Sequence, residues 1–455
     1  MTFTMGLRGF GLGTVNIVNV DHPWYSSHMK VTLVQPRYFN IWEALGLAYI
    51  AAHAKRQYHG ELEIDFYQGY FDSDETIIEG AKDSDVVGFS CTSPVFKHGL
   101  ALARRIKRIN PGVRTVFGGF HPTAVPQDCL EEDGVDQVVV GEGEEAFLEI
   151  LNGCADGIVR GEQFKAFDQI FPDRELVKNG RAIDLCERQI GRRITSFLSN
   201  RVCPFRCTFC AERTVTGVFN RAANPVRERD PGHLLDEIER VHRTYKLDLF
   251  KFADATWNTS AEKVVAFCEE KIRRGFTLPF EANVHCSLVT KEMLEAMKAA
   301  GCIQINAGCE SGSQRILRDM KKGLTLEKIV ETFAWADEIG IERRAYFMLG
   351  MPNETVEDIR LTEKLVERIK PDVFGVTILC PYPGSDLYNP AAMKHYDWST
   401  TDEYSNDYWS TQHLSNADLK RWQRHLMKKF ASNLAWHNRL LYEEGTLSAE
   451  TACMT

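Results

Sequence analysis

Cys203-Pro204-Phe205-Arg206-Cys207-Thr208-Phe209-Cys210 brings three thiols together in one short loop, directly after the strand-like run of residues 194–198. Thiolates are soft, negatively charged ligands that suit iron–sulfur clusters. A four-iron cluster normally takes four cysteines, but the nearest other thiol, Cys186, lies upstream of the strand. Cys203, Cys207 and Cys210 are therefore predicted to bind a cluster with one iron left open to a small molecule. Phe205 and Phe209 would shield it from water.

Two other interpretations of the three thiols stay open. A zinc site would need a fourth cysteine or histidine at similar spacing, and the next downstream candidates, His233 and His242, are far along the chain. Cysteines can also be buried structural residues. Three thiols on a loop beside proline and arginine are a poor pattern for a core, so the spacing favours the cluster.

The composition is that of a globular protein with more than one domain. The chain has 455 residues, of which 44% are hydrophobic and 26% charged, enough for two or three cores. No apolar run is long enough to span a membrane, and residues 1–29 lack the pattern of a secretory signal. The 13 cysteines are odd in number and scattered, which favours the cytoplasm. A net charge of −9 disfavours nucleic-acid binding and tolerates a cationic substrate.

Strands and helices alternate after residue 29, which predicts a doubly wound, Rossmann-like parallel sheet over residues 30–155, behind a lead-in of residues 1–29. The predicted strands cover residues 30–34, 62–66, 85–90, 114–117 and 136–140. Glycines follow two of these strands, at Gly118, Gly119, Gly141 and Gly143. Ligands bind at such strand ends, where glycine lets the backbone approach them, but the same glycines can also make tight turns only.

A second α/β region is predicted over residues 194–395, after a charged linker of residues 156–193. Its predicted strands cover residues 194–198, 247–252, 280–284, 303–307, 344–348 and 373–378. Six strand–helix units are too few for an eight-fold barrel and predict a partial (β/α)6 barrel. Residues 396–455 are predicted to form an aromatic loop, which could cover a substrate, and a core-facing helix over residues 417–442.

Several strand ends of this second region carry residues suited to a site, because chemistry in barrels sits at the C-terminal ends of the strands. Asp254 follows the second strand, Glu310 and Ser311 follow the fourth, and Gly350 and Met351 follow the fifth. A carboxylate such as Glu310 pairs well with an ammonium group. The alternative for Glu310 is a simple charge at a helix N-terminus.

The cysteine spacing resembles that of the radical S-adenosylmethionine (SAM) superfamily, and the strand-end residues resemble its SAM-binding turns. The resemblance implies a [4Fe-4S] cluster whose open iron binds the amino and carboxylate groups of SAM, and cleavage of SAM to a 5′-deoxyadenosyl radical. It implies an electron donor of flavodoxin or ferredoxin type. The SAM contacts that it implies are Phe209, Asp254, Glu310, Ser311, Gly350 and Met351.

Residues 30–155 resemble the cobalamin-binding domain of one radical SAM subfamily. The resemblance rests on Gly118-Gly119-Phe120-His121 and on Gly141-Glu142-Gly143-Glu144. It implies that a cobalamin site, if present, is lined by Gly118, Gly119, His121, Gly141 and Gly143. The Asp-x-His-x-x-Gly loop that supplies a cobalt ligand in methionine-synthase domains is absent, so the fold alone supports cobalamin binding. His121 can equally be a turn residue.

The resemblance leaves three functions open. The first resembles radical SAM diol dehydratases of aminoglycoside biosynthesis, which implies a cationic aminosugar substrate and an NADPH-dependent reductase as partner. The acidic charge, the short tail and the missing cobalt-ligating loop favour it. The second function is cobalamin-dependent C-methylation, and the third is a noncatalytic iron–sulfur or cobalamin sensor. A dehydratase would need a general acid or base, for which Glu212 and His285 are the candidates.

Overall fold

The structure is a computed structural model, and it describes residues 28–38, 41, 43–212, 214, 226–393, 396–404, 406–435 and 438–439. The predicted lead-in and the end of the predicted last helix lie almost wholly outside these residues. None of the described helices is long and apolar enough to cross a membrane.

The first sheet has six parallel strands in the order β2-β1-β3-β4-β5-β6. Its strands are β1 His28–Gln35, β2 Glu61–Gln68, β3 Val86–Ser90, β4 Arg114–Gly118, β5 Gln137–Val140 and β6 Ile158–Arg160. Its helices are α1 Leu45–Gln57, α2 Asp74–Ala81, α3 Ser93–Ile109, α4 Phe120–Ala124, α5 Pro126–Leu130 and α6 Gly143–Leu151. Apolar clusters cover both faces of this sheet. The prediction of a doubly wound sheet is confirmed, because the strand order reverses direction after β1.

Residues 156–193, which were predicted as a linker, contain regular elements. β6 extends the first sheet, with Val138 of β5 opposite Ile158. Helix α7, Asn179–Ile190, follows and buries Ala182, Ile183 and Cys186 on one side. The other side of α7 is charged, so its narrow apolar stripe is hard to recognise in the sequence. β6 is too short to show an alternating pattern.

The second sheet also has six parallel strands, in the order β14-β13-β12-β11-β10-β7. Its strands are β7 Ile194–Phe197, β10 Leu249–Phe252, β11 Phe280–Val284, β12 Cys302–Glu310, β13 Glu342–Leu349 and β14 Val373–Ile378. Its helices are α8 Pro231–Tyr245, α9 Ala261–Arg273, α10 Lys291–Ala299, α11 Gln314–Asp319, α12 Leu326–Ile339 and α13 Val356–Ile369. The predicted partial barrel is confirmed, since β7 and β14 do not pair within the described chain.

Local signals explain where these helices begin. Asp230 accepts a hydrogen bond from the His233 amide at 3.0 Å and Pro231 takes the first helical position of α8, as the sequence predicts. A short antiparallel pair, β8 Asn200–Arg201 and β9 Arg227–Glu228, flanks the cysteine loop. The helix-facing side of the second sheet is packed with aromatic rings around Phe252 and Phe280, which contact Phe267 of α9.

The tail differs from its prediction. Short helix α14, Pro390–Met393, precedes the aromatic loop, and helix α15, Asn416–Lys429, ends well before residue 442. A turn follows at Ala431–Asn433, and Leu434 then bridges to Phe374 of β14. The chain therefore leaves the helix in order to run along the outermost strand of the second sheet.

The two halves of the chain are joined by buried ion pairs. Arg174 lies 2.9 Å from Glu237, which Arg229 contacts at 2.5 Å. Arg201 lies 2.9 Å from Glu142. Such pairs are costly to break one partner at a time, so they fix how the two sheets meet.

Candidate active site

A cavity of about 450 Å³ lies at the second sheet, with Cys203, Cys207 and Cys210 all in its lining. Aromatic side chains of Phe205 and Phe209 lie beside the thiols. Charged and polar side chains line the rest, and these include Glu43, Lys251, Glu281, Asn283, Asn306 and Arg344. A space of this size and mixed lining suits a small polar molecule.

Backbone contacts hold the cysteine loop in place. The Cys210 amide donates to the Cys207 carbonyl at 3.2 Å, and the Thr208 amide donates to the Met320 carbonyl at 2.9 Å. Val202, the residue before Cys203, has a φ of 80°. A β-branched residue avoids this left-handed region, so the turn that presents Cys203 is strained.

The thiols fit a cluster better than a single ion. Burial raises the pKa of Cys207 to about 11 and that of Cys210 to about 12, so iron must displace their protons to bind. In the part of the chain that is described, no three His, Cys, Asp or Glu side chains are arranged around one metal ion. All three cysteines line the same cavity of about 450 Å³, which has room for a multi-iron cluster, whose ligands lie farther apart than those of one zinc.

Asp254 supports this loop from behind. It is 2% exposed, and its Oδ1 accepts hydrogen bonds from the amides of Ser199 at 2.9 Å and Asn200 at 2.7 Å. Burial raises its pKa to about 7, although these hydrogen bonds favour the charged form. Asp254 does not line the cavity, whereas its neighbours Ala253 and Ala255 do. The structure thus places this predicted SAM contact as a support of the segment that leads into the cysteines.

Glu310 points into the cavity and is paired there. Its Oε1 lies 2.7 Å from the Nζ of Lys322, and both side chains are nearly enclosed. A φ of 61° at Glu310 and a register shift after Gly308 turn the carboxylate inward. Burial alone would lower the pKa of Lys322, but Glu310 and the nearby thiols hold it above its usual value.

His285 lines the cavity, but both of its ring nitrogens are engaged. Nδ1 lies 2.7 Å from Ser287 Oγ, and Nε2 lies 3.0 Å from the Lys322 carbonyl. The ring stacks on Phe205 with a centroid separation of 3.6 Å. Burial and Lys322 lower its pKa to about 3. His285 is therefore a neutral side chain that braces the cysteine loop, a poorer general acid or base than the sequence predicts.

Glu212 lies just past the third cysteine, and it is not in the cavity lining that the structure describes. Burial, with the charge of Glu142 as a smaller cause, raises its pKa to about 7. Its surroundings are those of the junction between the two sheets. The structure does not bring Glu212 and His285 together as a catalytic pair.

The remaining predicted SAM contacts fall into two groups. Phe209 lines the cavity, whereas Ser311 is fully buried and accepts a hydrogen bond from the Ser313 amide at 3.1 Å. Gly350, with a φ of 103°, donates its amide to Glu354, and Met351 is 2% exposed. Neither Gly350 nor Met351 lines the cavity. They shape the turn after β13 that lies behind it.

Sequence reasoning missed the polar residues inside the barrel. Lys251, Glu281, Asn283, Arg344 and Tyr346 all line the cavity. Each lies on a strand, and the pairs Glu281/Asn283 and Arg344/Tyr346 are two residues apart, so they share a face. Charged residues at alternate positions of otherwise buried strands were the signal that could have found them.

The turns at the C-terminal edge of the first sheet are occupied by contacts within the chain. His121 Nδ1 lies 3.0 Å from Ser93 Oγ, and burial lowers the pKa of His121 to about 4. A side chain at Gly119 would meet the Cys91 carbonyl at 2.7 Å, so this glycine is needed by the fold itself. The Gly141 amide donates to Thr123 Oγ1 at 3.1 Å.

The second glycine turn of this edge serves the junction. Glu142, between Gly141 and Gly143, pairs with Arg201 and Arg227, and a side chain at Gly143 would meet Ile50 at 2.8 Å. Gly118 is uncrowded. The residues predicted for cobalamin thus pack the edge and hold the barrel, and no cobalt ligand stands out among them.

The fold and the cavity together define a class. Six parallel strands in a partial barrel, with three closely spaced thiols at its cavity and a doubly wound sheet ahead of it, are the arrangement of a SAM-dependent iron–sulfur enzyme with a B12-type domain. The family model of the Radical SAM superfamily matches residues 198–366, and that of the B12 binding domain matches residues 34–151.

Similar proteins share this arrangement. An uncharacterized methyltransferase of Pyrococcus horikoshii is 26% identical over 363 residues, 76% of this chain and 78% of that one. An anaerobic magnesium-protoporphyrin IX monomethyl ester cyclase of Rubrivivax gelatinosus is 25% identical over 403 residues, 80% of this chain and 70% of that one. The solved radical SAM methyltransferase TsrM of Kitasatospora setae has a TM-score of 0.66 at 18% identity, covering 80% of this chain and 76% of its own.

The chain therefore carries a radical SAM domain over residues 198–366, behind a B12-binding domain over residues 34–151. The cofactors of this superfamily are a [4Fe-4S] cluster and SAM.

Proposed function

We propose that this radical SAM enzyme removes a hydroxyl group, as water, from a polar natural product of aminoglycoside type. The single observation that carries the proposal is the lining of the cavity, which has three thiols on one side and charged groups from the barrel strands on the other. A hydrogen-abstracting cofactor and groups that move protons would thus face the same bound molecule.

Cys203, Cys207 and Cys210 would hold the cluster, and Glu310 would meet the amino group of SAM. When bound, these cofactors supply a carbon-centred radical that takes a hydrogen atom from an unactivated C–H bond. Phe205 and Phe209 would exclude water around them, since both line the same cavity. Asp254 would keep the cysteine loop in register through the Ser199 and Asn200 amides.

Loss of water needs a proton delivered to the departing hydroxyl and a proton taken from its neighbour. Lys251 lines the cavity, and burial lowers its pKa, which makes its ammonium a better proton donor. Glu281 is the register partner of Lys251 on the neighbouring strand and lines the same cavity, so the two groups can act on one substrate. We assign proton delivery to Lys251 and proton acceptance to Glu281, in place of Glu212 and His285.

The lining also supports the class of substrate. Glu281, Asn283, Asn306 and Arg344 offer carboxylate, amide and guanidinium groups to hydroxyls and amines. An aminosugar would match this mixture better than an apolar ring would. A flavodoxin or ferredoxin would supply one electron to cleave SAM and a second electron, taken up with a proton, to convert the radical left after loss of water into a carbonyl product. A separate NADPH-dependent reductase would then reduce that carbonyl. No step of this proposal uses cobalamin, because the turns predicted for it are engaged in packing.

A second candidate is methyl transfer to the substrate with cobalamin. The names of two similar proteins, the methyltransferases of Pyrococcus horikoshii and Kitasatospora setae, favour it. So does the match of residues 34–151 to the B12 binding domain. For this reaction, Gly118, Gly119, His121, Gly141 and Gly143 would line the cobalamin site, and cobalamin would supply the methyl group.

The deciding experiment is an anaerobic reaction of the reconstituted enzyme with SAM, dithionite and paromamine, a small aminoglycoside, with and without cobalamin. Mass spectrometry would show loss of water and formation of 5′-deoxyadenosine, independent of cobalamin, if the proposal is right. Gain of a methyl group only with cobalamin would establish the second candidate instead. If the protein does not cleave SAM at all, the function that remains is that of a noncatalytic sensor.

Matched variants sharpen the result. Lys251→Met should still form 5′-deoxyadenosine but lose most of the dehydrated product, since it removes only the proton donor. Lys165→Met changes an exposed lysine far from the lining and should behave as wild type. Equal product from Lys251→Met and wild type would overturn the assignment of Lys251.

A further inference from the structure

The partial barrel has a gap in its side. Among the described strands, β7 and β14 are the outermost of this sheet, and each pairs with one other strand of it. The free side of such a strand presents backbone N–H and C=O groups that need partners. Two segments from outside the barrel supply them.

Glu43, in the connection between β1 and α1 of the first sheet, covers the free side of β7. Its Oε2 accepts a hydrogen bond from the Ser196 amide at 2.7 Å, and its Oε1 accepts one from Asn179 at 2.7 Å and another from the Thr195 hydroxyl. The carboxylate thus takes the place that the carbonyl of a neighbouring strand would occupy. Both Glu43 and Ser196 line the cavity.

The tail covers the free side of β14. The Ala435 amide donates to the Phe374 carbonyl at 2.7 Å, and Asn438 contacts both backbone groups of Val376, at 3.1 Å and 2.6 Å. The Ile378 amide donates to the Glu403 carbonyl at 2.8 Å. Every second residue of β14 therefore has a backbone group that is hydrogen-bonded to the C-terminal part of the chain.

The two segments meet at the first sheet. Tyr38, three residues past the end of β1, is half-buried. Desolvation raises its pKa, and the charges of Glu403 and Asp402 raise it further. Tyr38 therefore lies beside the tail, and Glu43 lies beside β7. Ile41, between them, is 4% exposed and lines the cavity, as does Leu45, which is 7% exposed.

We propose that Ile41, Glu43 and Leu45, in the connection between β1 and α1, form a side wall of the cavity, in which Glu43 positions β7 and Ile41 helps to determine which substrate fits. A connection of the B12-type domain would then be part of the barrel. The role of Ile41 in substrate choice rests on the proposed function, whereas the closure of the gap does not.

Hydrogen exchange tests the position of Glu43 without any cofactor. The variants are Glu43→Gln, which keeps an acceptor, and Glu43→Ala, which removes it; Glu63→Gln, an exposed acid on β2, is the control. We expect the peptide spanning β7 to exchange about tenfold faster or more in Glu43→Ala, less in Glu43→Gln and no faster in the control, since a charge-assisted hydrogen bond is lost. Unchanged exchange in Glu43→Ala would overturn this role.

Iron release tests the wall. Ile41→Ala should let a strong iron chelator strip the reconstituted protein several-fold faster than wild type, while Ile109→Ala, at a site 57% exposed, should not. Equal rates of iron release from wild type, Ile41→Ala and Ile109→Ala would contradict the role of Ile41 in the wall of the cavity. With paromamine, Ile41→Ala should raise KM more than it lowers kcat. If paromamine is not converted by wild type, the proposed function fails, but exchange and iron release still decide the closure.

Discussion

The Nζ of Lys322 lies 2.7 Å from the Oε1 of Glu310, inside the cavity that the three cysteines line. The carboxylate predicted for the SAM amino group thus already has a cationic partner. Buried ion pairs are costly to break from one side, because the remaining charge is left without compensation. Binding of an ammonium group at Glu310 therefore competes with, or adds to, a contact within the chain.

Removal of Lys322 should make SAM a stronger stabiliser of the fold. Lys322→Met leaves Glu310 unpaired and should lower the free energy of unfolding by about 3–5 kcal/mol. The ammonium of SAM can replace the lost cation, so the rise in Tm on addition of SAM should be larger in Lys322→Met than in wild type. Thermal unfolding of anaerobic protein with and without SAM measures this. An equal or smaller rise would show that Glu310 does not meet SAM.

Gly308→Ala should displace the Glu310 carboxylate with little effect on the fold. A Cβ at this position would lie 2.4 Å from Glu310 Oε1, the end of a flexible side chain that can move away. We expect the Kd for SAM to rise about tenfold, as for loss of one hydrogen bond to a charged group. Calorimetric titration would give the Kd. Gly112→Ala, in an exposed turn, is the control. A similar rise in the Kd for SAM in Gly112→Ala would show that the effect does not come from Glu310.

His285 should make the apo-protein lose stability as the pH falls. Its pKa in the folded state is about 3, below the ordinary value of 6.5, so the unfolded chain binds its proton first. Stability should fall between pH 6.5 and 3 by up to about 1.4 kcal/mol per pH unit from this group. Urea unfolding at several pH values should give a flatter profile for His285→Gln, whereas exposed His413→Gln should keep the wild-type slope. Parallel profiles for wild type and His285→Gln would contradict the buried, neutral state.

Glu354 should make the stability of the protein depend on pH in the opposite direction. It is fully buried, and burial raises its pKa from 4.5 to about 8. The folded chain then holds the proton that the unfolded chain has lost, so stability falls as the pH rises from 4.5 through 8. Glu354→Gln removes this titration. From pH 5 to pH 9, the free energy of unfolding of Glu354→Gln should therefore rise by roughly 2–4 kcal/mol relative to that of wild type.

The same urea unfolding at pH 5 and pH 9 measures this gain, with Glu357→Gln, an exposed acid on α13, as the control. The hydrogen bond from the Gly350 amide should survive in Glu354→Gln, because an amide oxygen can accept it. A gain of the same size in both variants would point to a general charge effect.

The strands and the cysteine loop could be predicted because their signals are local. Apolar runs such as Val86–Ser90 are found as predicted, and so is the barrel built from six of them. The direction in which a strand-end carboxylate faces has no such signal. Asp254 and Glu310 both follow strands, yet Asp254 turns back to the Ser199 and Asn200 amides, whereas Glu310 turns inward through its left-handed φ.

Contacts between distant parts of the chain also escaped prediction. Lys322 follows a second lysine in a short turn, a pattern that usually lies in water, and only the fold brings it to Glu310. Glu43 sits beside tryptophan in a connection of the first sheet, 153 residues from the strand amide that it accepts from. Neither residue has a periodicity or spacing that marks it.

The contact of the tail with β14 bears on how the protein behaves when cut. Proteolysis after Lys429 would remove the Leu434 bridge and the Asn438 contacts and uncover most of the outer side of β14, a largely apolar strand of six residues. A bare outer strand is a template for pairing with a second molecule. The shortened protein should therefore self-associate and precipitate, even though its cysteine loop and cavity would be intact.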